Sequence, residues 1–586
     1  MSCIGLEDDS ISFLVGGEAG QGITRSGSLL GKALMRAGFS VFGMNDYPSI
    51  IRGGHNFYLL RVSDREVHSP ADTADILLAL NKETVLLHQG ELSEGAGVVY
   101  DRQVEFEEGE LKRDDISLFP VPFSEIVKEI GGTPIMMNTV ALGAAAALVD
   151  FDQELIKQVI SDAFSGRERI IEQNARAIEM GFDYVKVNYG DGFPCRLGLL
   201  EERPEKIMLT GNEAVALGAI QAGCRFYSAY PMTPASGVLH YLAGKDIETE
   251  MVVVQAESEI AAMNMVIGAS YAGLRSMTAT SGGGFCLMTE AFGLAGATET
   301  PVVVMLGQRP GPSTGMATYT AQADLLFAVH TSQGEFPRVV VAPGDVEGCF
   351  YRTMEAFNLA EKYQVPVIIL TDKFIIESQK SAEPFDAGRV AIERGDLLIA
   401  DEWTSEERYK RFKITESGVS PRILLGTRGA TVLANGNEHE EYGYTTIDPE
   451  KVVAMAEKRF RKIEPLKEEI SGMRPVRVFG DPNPSITLVG WGSTKGPALE
   501  ALKMLGSRGV KARFVQVVYV EPFPTEEVGE LLEGDGEFIL LETNMTAQLG
   551  KLIKLNTGFA FEHVALKYDG RPFNPGEICA RVEEVM

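Results

Sequence analysis

Four short stretches of the 586-residue sequence carry side chains that could bind and transform a small anion, and each adjoins a run of strand-forming residues. The first is 228-SAYPMTPAS-236, in which Pro231 and Pro234 fix the backbone and hold Thr233 at a strand's C-terminal end. That edge is where open α/β sheets bind ligands. The Thr233 hydroxyl could donate to a carboxylate there, or simply cap the next helix. In 255-QAESEIAAMNMVIGAS-270, Glu257, Ser258 and Glu259 open a helix otherwise built of small and apolar residues. Acids in a first helical turn suit the positive end of the helix dipole. At the mouth of so apolar a helix the acid would also be desolvated, and such a group suits proton exchange near neutral pH. In 278-TATSGGGFCLMTEAFGLAG-296 a strand ends in Thr278, Thr280 and Ser281. Gly282 to Gly284 then either form a loop or let a flat group approach the backbone closely. The fourth stretch, 307-GQRPGPSTGMATYTAQADL-325, holds a single cation, Arg309, among Gly, Pro, Ser and Thr. Arginine can clamp a carboxylate with two parallel hydrogen bonds, although a loop arginine can equally be solvated.

For these groups to meet, the strands that carry them must lie parallel in one sheet. Strand-sized apolar runs at 225–231, 251–255, 275–281, 301–307, 338–343 and 366–372 alternate with helical stretches, which is the pattern of a mainly parallel α/β sheet. A similar alternation precedes it, with strands at 11–16, 39–44, 56–62, 75–80 and 97–100 and helices over 138–148 and 152–180. A last α/β unit has strands at 485–492, 512–520 and 537–542. The expected organisation is an α/β domain over 1–190, a linker over 191–205 and an α/β domain over 206–380. A polar, irregular connection follows over 381–482, with a basic helix near 450–462, and then a final α/β domain over 483–586.

Two glycine-rich turns lie near the N-terminus. The first, 16-GGEAGQG-22, sits between a strand and a helix, where backbone N–H groups could cradle a phosphate. Its spacing is neither GxGxxG nor a Walker loop, so a tight turn is the plainer reading. The second, 51-IRGGHNF-57, is flanked by Arg52 and His55, which could touch an anion, although a structural turn is the plainer reading here too. The triplets 190-GDG-192 and 534-GDG-536 lack the strand and oxygen ligands a hard cation needs, and read as turns.

Composition narrows the classes. Hydrophobic residues at 45% and charged residues at 23% describe a globular chain. The formal charge of −28, with no basic stripe, argues against a nucleic-acid partner and an anionic membrane surface. No apolar run approaches the ~20 residues of a spanning helix. The acidic start, MSCIGLEDDS, lacks the character of a signal peptide, so a cytoplasmic protein is expected. The six cysteines are scattered singly, which argues against a disulfide framework, a zinc ribbon or a self-contained iron–sulfur site. The seven histidines form no metal-binding pattern, and no metal site is expected.

With these residues in view, the chain resembles the 2-oxoacid:ferredoxin oxidoreductases, in the form of an α subunit with a γ subunit fused in front. The stretch 230-YPMTP-234 is similar to the family's YPITP motif with Met232 in place of Ile. The blocks 257-ESE-259, 278-TATSGGG-284 and 307-GQRPGPSTG-315 resemble its neighbours. The C-terminal 521-EPFP-524, 544-NMTAQLGKL-552 and 568-YDGRPF-573 resemble the α subunit's last domain, and the two N-terminal glycine turns resemble the γ subunit.

The resemblance implies several three-layer α/β domains: γ-like, thiamine diphosphate pyrimidine-binding and transketolase C-terminal-like. It implies that Glu259, with Glu257 as the lesser candidate, hydrogen-bonds the aminopyrimidine ring of thiamine diphosphate and activates it. It also makes Tyr230, Pro231, Thr280, Ser281 and Gly282 coenzyme contacts, and Thr233 and Arg309 the holders of the substrate carboxylate. The implied reaction takes a 2-oxoacid and coenzyme A to acyl-CoA and CO₂, with electrons passing through iron–sulfur clusters to ferredoxin. The diphosphate and Mg²⁺ site and the [4Fe-4S] cluster would belong to a separate β subunit in an αβ or (αβ)₂ heteromer. The γ-like domain could help to cap coenzyme A. The expected substrate is 2-oxoglutarate, with pyruvate or broad 2-oxoacid use as the alternative. Rival readings are a nucleotide- or flavin-binding electron-transfer protein and a non-catalytic scaffold subunit.

Overall fold

The computed structural model describes residues 2–3, 10–49, 53–190, 192–534 and 536–586. Arg52 and the central aspartates of the two GDG triplets, Asp191 and Asp535, lie outside the described residues, as does most of the acidic N-terminal stretch. Contacts divide the chain into two compact units. The first runs to Leu209 and also takes in Ser378–Pro384 and Asn574–Glu577. The second is made of Thr210–Glu377, Phe385–Phe573 and Ile578–Met586.

The first unit is built on an eight-stranded sheet. Its strands lie in the order Ser117–Val121, Leu92–Asp101, Ala74–Ala79, Ser10–Glu18, His55–Ser63, Ser40–Asp46, Gln379–Ala382 and Ile207–Thr210. The first four are parallel. The strand His55–Ser63 runs antiparallel to both Ser10–Glu18 and Ser40–Asp46, so the sheet is mixed and not mainly parallel as the alternation suggests. The cause is the connection over 47–54, which is too short for the dozen or so residues of a crossover and permits only antiparallel neighbours. Apolar residues of these strands, such as Phe13, Val15 and Val62, form a core with the helices Ile23–Arg36, Met137–Leu148 and Glu168–Tyr189. Cys195 is disulfide-bonded, a bond that single, scattered cysteines do not predict.

The second unit holds the sheet that carries the four motifs. Its seven strands lie in the order Val252–Gln255, Phe226–Ala229, Ser276–Thr280, Val303–Gln308, Val367–Asp372, Val339–Val341 and Tyr519–Glu521. All are parallel except the last. The strands Val303–Gln308, Val339–Val341 and Val367–Asp372 are buried along their whole length, which explains why they are apolar up to their polar C-terminal ends at Gln308 and at Thr371 and Asp372. The C-terminal part forms a five-stranded sheet, with Ile486–Trp491 flanked by Ala512–Val517 and Glu537–Glu542 and the edges formed by Val476–Gly480 and His563–Leu566. The chain leaves it at Val517 and at once supplies the edge strand Tyr519–Glu521 to the larger sheet. One core therefore serves both: Val304, Leu306 and Ile368 share a cluster with Val489, Trp491 and Val515. No described helix is long and apolar enough to cross a membrane.

Candidate active site

Glu259 is the first residue of the helix Glu259–Tyr271. Ser258 caps that helix, its hydroxyl accepting from the Ala261 amide at 3.2 Å. The cap turns the two acids apart: Glu257 is exposed, whereas Glu259 keeps only 4% of its surface. The buried Oε1 of Glu259 has no hydrogen-bond partner. What makes room for it is the next helix, Gly282–Ala297. A Cβ at Gly284 would stand 2.7 Å from Glu259 Oε1 and would collide with Thr280 Oγ1. The glycine loop of the sequence is therefore the start of a helix whose third residue has to be bare.

Ser281 caps this helix in position but not with its side chain. Its hydroxyl is buried and unpartnered, as is that of Thr278. Thr280 is buried with its Oγ1 at 3.8 Å from Met232 Sδ. Thr233 and Arg309 are brought together, although through the backbone: Arg309 Nη1 donates to the Thr233 carbonyl at 2.7 Å. The loop after Arg309 turns sharply at Gly315, where φ is +54° and a Cβ would run into the Pro310 carbonyl. The Met316 amide donates to that same carbonyl at 3.0 Å.

A cavity of about 520 Å³ opens between these elements. Ser281, Gly282 and Arg309 line it together with Met232, Cys286 and Asp324. Tyr230, Pro231, Thr233, Glu259 and Thr280 do not line it. Tyr230 is 40% exposed at the strand end and Pro231 is half-buried beside it. Arg309 is the one Lys or Arg among the lining residues, and burial lowers its pKa while the nearby Asp324 acts to raise it.

Asp324 is a residue the sequence reading misses. Its carboxylate lies against Gly282, where a Cβ would come within 2.6 Å of Oδ2. Its amide donates to Gln308 Oε1 at 2.9 Å. Burial pushes its carboxyl up to about 6, against the opposing pull of the Arg309 charge. The segment that carries it is sewn to the C-terminal domain. The amide and side-chain amide of Gln322 donate to the carbonyls of Thr543 and Trp491, each at 2.8 Å. Gln322 Oε1 accepts from the Thr543 amide at 3.0 Å, while Thr320 Oγ1 ties the segment to the strand Val367–Asp372 of the larger sheet by donating to Asp372 Oδ1 at 3.1 Å.

The donor and acceptor set suits the edge of a flat heteroaromatic ring. A buried carboxylate oxygen of Glu259 stands without a partner against the bare Gly284 backbone, and the buried hydroxyls of Thr278 and Ser281 on the same strand and its end also lack partners. An aminopyrimidine ring such as that of thiamine diphosphate has the N–H donors that such a carboxylate oxygen lacks. Among the described residues no group of His, Cys, Asp and Glu is arranged to hold a metal.

In the first unit the two glycine turns meet, the Ala19 amide donating to the Gly54 carbonyl at 3.1 Å. His55 Nε2 lies 2.7 Å from His88 Nε2, and His88 Nδ1 lies 2.7 Å from Glu91 Oε2. Burial, followed by the neighbouring His88, lowers the His55 pKa.

Residues 217–458 match the family model described as pyruvate flavodoxin/ferredoxin oxidoreductase, thiamine diphosphate-binding. Residues 12–184 match pyruvate ferredoxin/flavodoxin oxidoreductase, and 478–553 match the transketolase C-terminal domain. A 2-oxoacid:ferredoxin oxidoreductase α subunit of Aeropyrum pernix is 36% identical over 98% of both chains. One from Saccharolobus solfataricus is 34% identical, again over 98% of both. The 2-oxoglutarate synthase subunit KorA of Methanothermobacter thermautotrophicus is 33% identical over 64% of this chain and 97% of its own. Among solved structures, 2-oxoglutarate:ferredoxin oxidoreductase from Magnetococcus marinus, with 2-oxoglutarate, coenzyme A and succinyl-CoA bound, superposes with a TM-score of 0.90. It is 34% identical and the match covers 99% of this chain and 100% of that one. The chain belongs to the 2-oxoacid:ferredoxin oxidoreductase family, as an α subunit of a heteromeric enzyme with a γ-like domain at its N-terminal end.

Proposed function

We propose that this chain supplies the pyrimidine-binding half of a site that converts a 2-oxoacid and coenzyme A to acyl-CoA and CO₂ while reducing ferredoxin. The observation that carries this reading is the buried, unpartnered Glu259 carboxylate held against Gly284. A carboxylate so placed accepts a hydrogen bond from the coenzyme's ring and biases its proton distribution. Thiamine diphosphate, when bound, supplies the carbon that attacks the keto group and takes up the electron pair released with CO₂. Thr280, Ser281 and Gly282 border the ring, and Tyr230 and Pro231 close the strand edge beside it. Arg309 pairs with the substrate carboxylate, and Thr233 positions Arg309 through its carbonyl.

The diphosphate, its Mg²⁺ and the [4Fe-4S] cluster are assigned to a β subunit, since the described residues of this chain offer no metal-binding group. Arrangement as αβ or (αβ)₂ and electron delivery to ferredoxin are part of the same reading. So is a contribution of the γ-like unit to covering coenzyme A. The preferred substrate is 2-oxoglutarate, the 2-oxoacid bound in the Magnetococcus marinus structure. One observation favours pyruvate or broad use instead: Arg309 is the sole cation of the cavity lining, and a dicarboxylate needs a second.

The test is Glu259→Gln in the complex reconstituted with its β subunit, followed by 2-oxoacid-dependent reduction of viologen with coenzyme A. Turnover is expected to fall by at least about 10²-fold, the range for loss of a positioned proton-transfer group, with assembly unchanged. Near-normal turnover would remove Glu259 from the role. The same assay run with pyruvate and 2-oxoglutarate decides between the two substrate readings.

A further inference from the structure

The cavity contains a second charged group that the reaction as described leaves unused. Asp324 lines it along with Arg309, pressed against the first glycine of the helix Gly282–Ala297. Its place is set from three sides. Gln308, at the end of the strand before Arg309, receives the Asp324 amide. Gln322, two residues earlier, is fastened to Thr543 and Trp491. Gln548 closes the other flank, donating to the Ala323 carbonyl at 2.7 Å and accepting from the Leu326 amide at 2.9 Å. These bonds fix the backbone that carries the carboxyl at the cavity wall.

The titratable groups beside Asp324 are Arg309, from the loop after the strand Val303–Gln308, whose charge acts on its carboxyl, and Cys286, from the helix Gly282–Ala297, which feels the Asp324 charge. Cys286 lines the same cavity, and burial, then the Asp324 charge, raises its thiol above the ordinary value, so it stays neutral near pH 7. The charge balance of the cavity therefore rests on Arg309 and Asp324. With Asp324 ionised, the two cancel. With Asp324 protonated, Arg309 faces the cavity uncompensated.

On the reading that Arg309 binds the substrate carboxylate, the two states differ in affinity for a 2-oxoacid. We propose that Asp324 couples substrate binding to proton uptake: the 2-oxoacid anion enters with one proton, which passes from solvent to the Asp324 carboxylate. A second anion beside an ionised carboxylate disfavours the charged form, so the incoming anion strengthens the hold on that proton. By linkage, the proton strengthens the hold on the anion to the same degree. A 2-oxoacid carboxyl stays ionised throughout this range, so the pH dependence belongs to the protein.

Burial already places the Asp324 carboxyl at about 6 before substrate arrives, inside the range in which the enzyme can be assayed. The experiment measures KM and kcat for the fastest 2-oxoacid in the assembled complex from about pH 5.5 to 8.5, for wild type, Asp324→Asn and Arg309→Ala. In wild type KM should rise with pH by up to about tenfold per unit above the Asp324 pKa, as one linked proton requires. Asp324→Asn should flatten that rise and lower KM at pH 8 by at least about fivefold, with kcat moving less than about twofold. Asp324→Ser is the second neutral variant, read in the same way if the amide impairs assembly. If the neutral variants keep the wild-type slope, or raise KM equally at every pH, the coupling is wrong and Asp324 only buttresses Arg309. If Arg309→Ala leaves KM unchanged, the carboxylate site itself is misassigned, a failure separable from the first because Arg309→Ala alone reports it.

Discussion

Glu259 and Gly284 form a pair in which each residue explains the other. The carboxylate is buried because a helix start lies over it, and it fits because that helix start has no side chain. Replacing Gly284 with Ala puts a methyl 2.7 Å from Glu259 Oε1 and into Thr280 Oγ1. Thr280 is fully buried and β-branched, so it has little room to rotate away. Gly284→Ala should therefore displace the Glu259 carboxylate and lower kcat by about 10²-fold, the usual cost of misplacing a reacting group by ~1 Å. The complex should still assemble, which gel filtration beside the activity assay will check. Glu259 was legible because an acid opening an apolar helix is conspicuous in the sequence, and Ser258 signals the cap. Asp324 was not. It precedes a short apolar helix in a polar segment, and what makes it special is contributed by Gly282, Arg309 and Gln308 from other parts of the chain. A pattern in one stretch of sequence cannot report a neighbourhood assembled from three.

Most strands were legible as elements, because fully buried parallel strands must be apolar throughout. Their directions were less so, as the short connection over 47–54 shows. The basic helix near 450–462 is the sharpest lesson at this scale. A row of cations reads as a solvated face, yet on and just after the helix Pro449–Phe460 two of them point inward. Lys458 and Lys462 are 0% and 1% exposed, and both bond to the buried Glu299 carboxylate. Arg411 adds its guanidinium, donating to the Glu299 carbonyl at 2.8 Å. Burial opposes the ionised form of Glu299, but Lys458, Lys462 and Arg411 together hold its carboxyl far below the ordinary range. A comparable knot ties the polar connection at Glu361, which meets Arg422 at 2.8 Å, Arg275 at 3.5 Å and also Arg394. Glu299→Gln would leave two ammonium groups and a guanidinium buried around a neutral amide. The expected loss is about 3–5 kcal/mol, the cost of breaking a buried ion pair from one side. Chemical denaturation should register it as an earlier midpoint, whereas an unchanged midpoint would show that water reaches the cluster.

For the molecule as a whole, the question is what a chain proposed to hold half a coenzyme site does alone. The two helices that begin at Glu259 and Gly282 leave Ile260, Met265 and Leu287 exposed. On the proposed shared site, another chain covers these residues. The purified chain, supplied with thiamine diphosphate, Mg²⁺, coenzyme A and a 2-oxoacid, should show no viologen reduction. Adding the β subunit should restore it, and robust turnover by the lone chain would refute the shared site. The net charge of −28 supports solubility and sets the sign of the field that any electron acceptor meets, but it says nothing about fold.

The sheet of the first unit is finished by Gln379–Ala382, which bonds along Ser40–Asp46 after the chain has already built most of the second unit's large sheet. Ribosomal synthesis therefore delivers the early part of that unit with one margin bare, its Ser40–Asp46 amides and carbonyls waiting for a strand not yet made. A nascent chain in that condition is open to mispairing, and a gene cut at residue 209 would make the condition permanent.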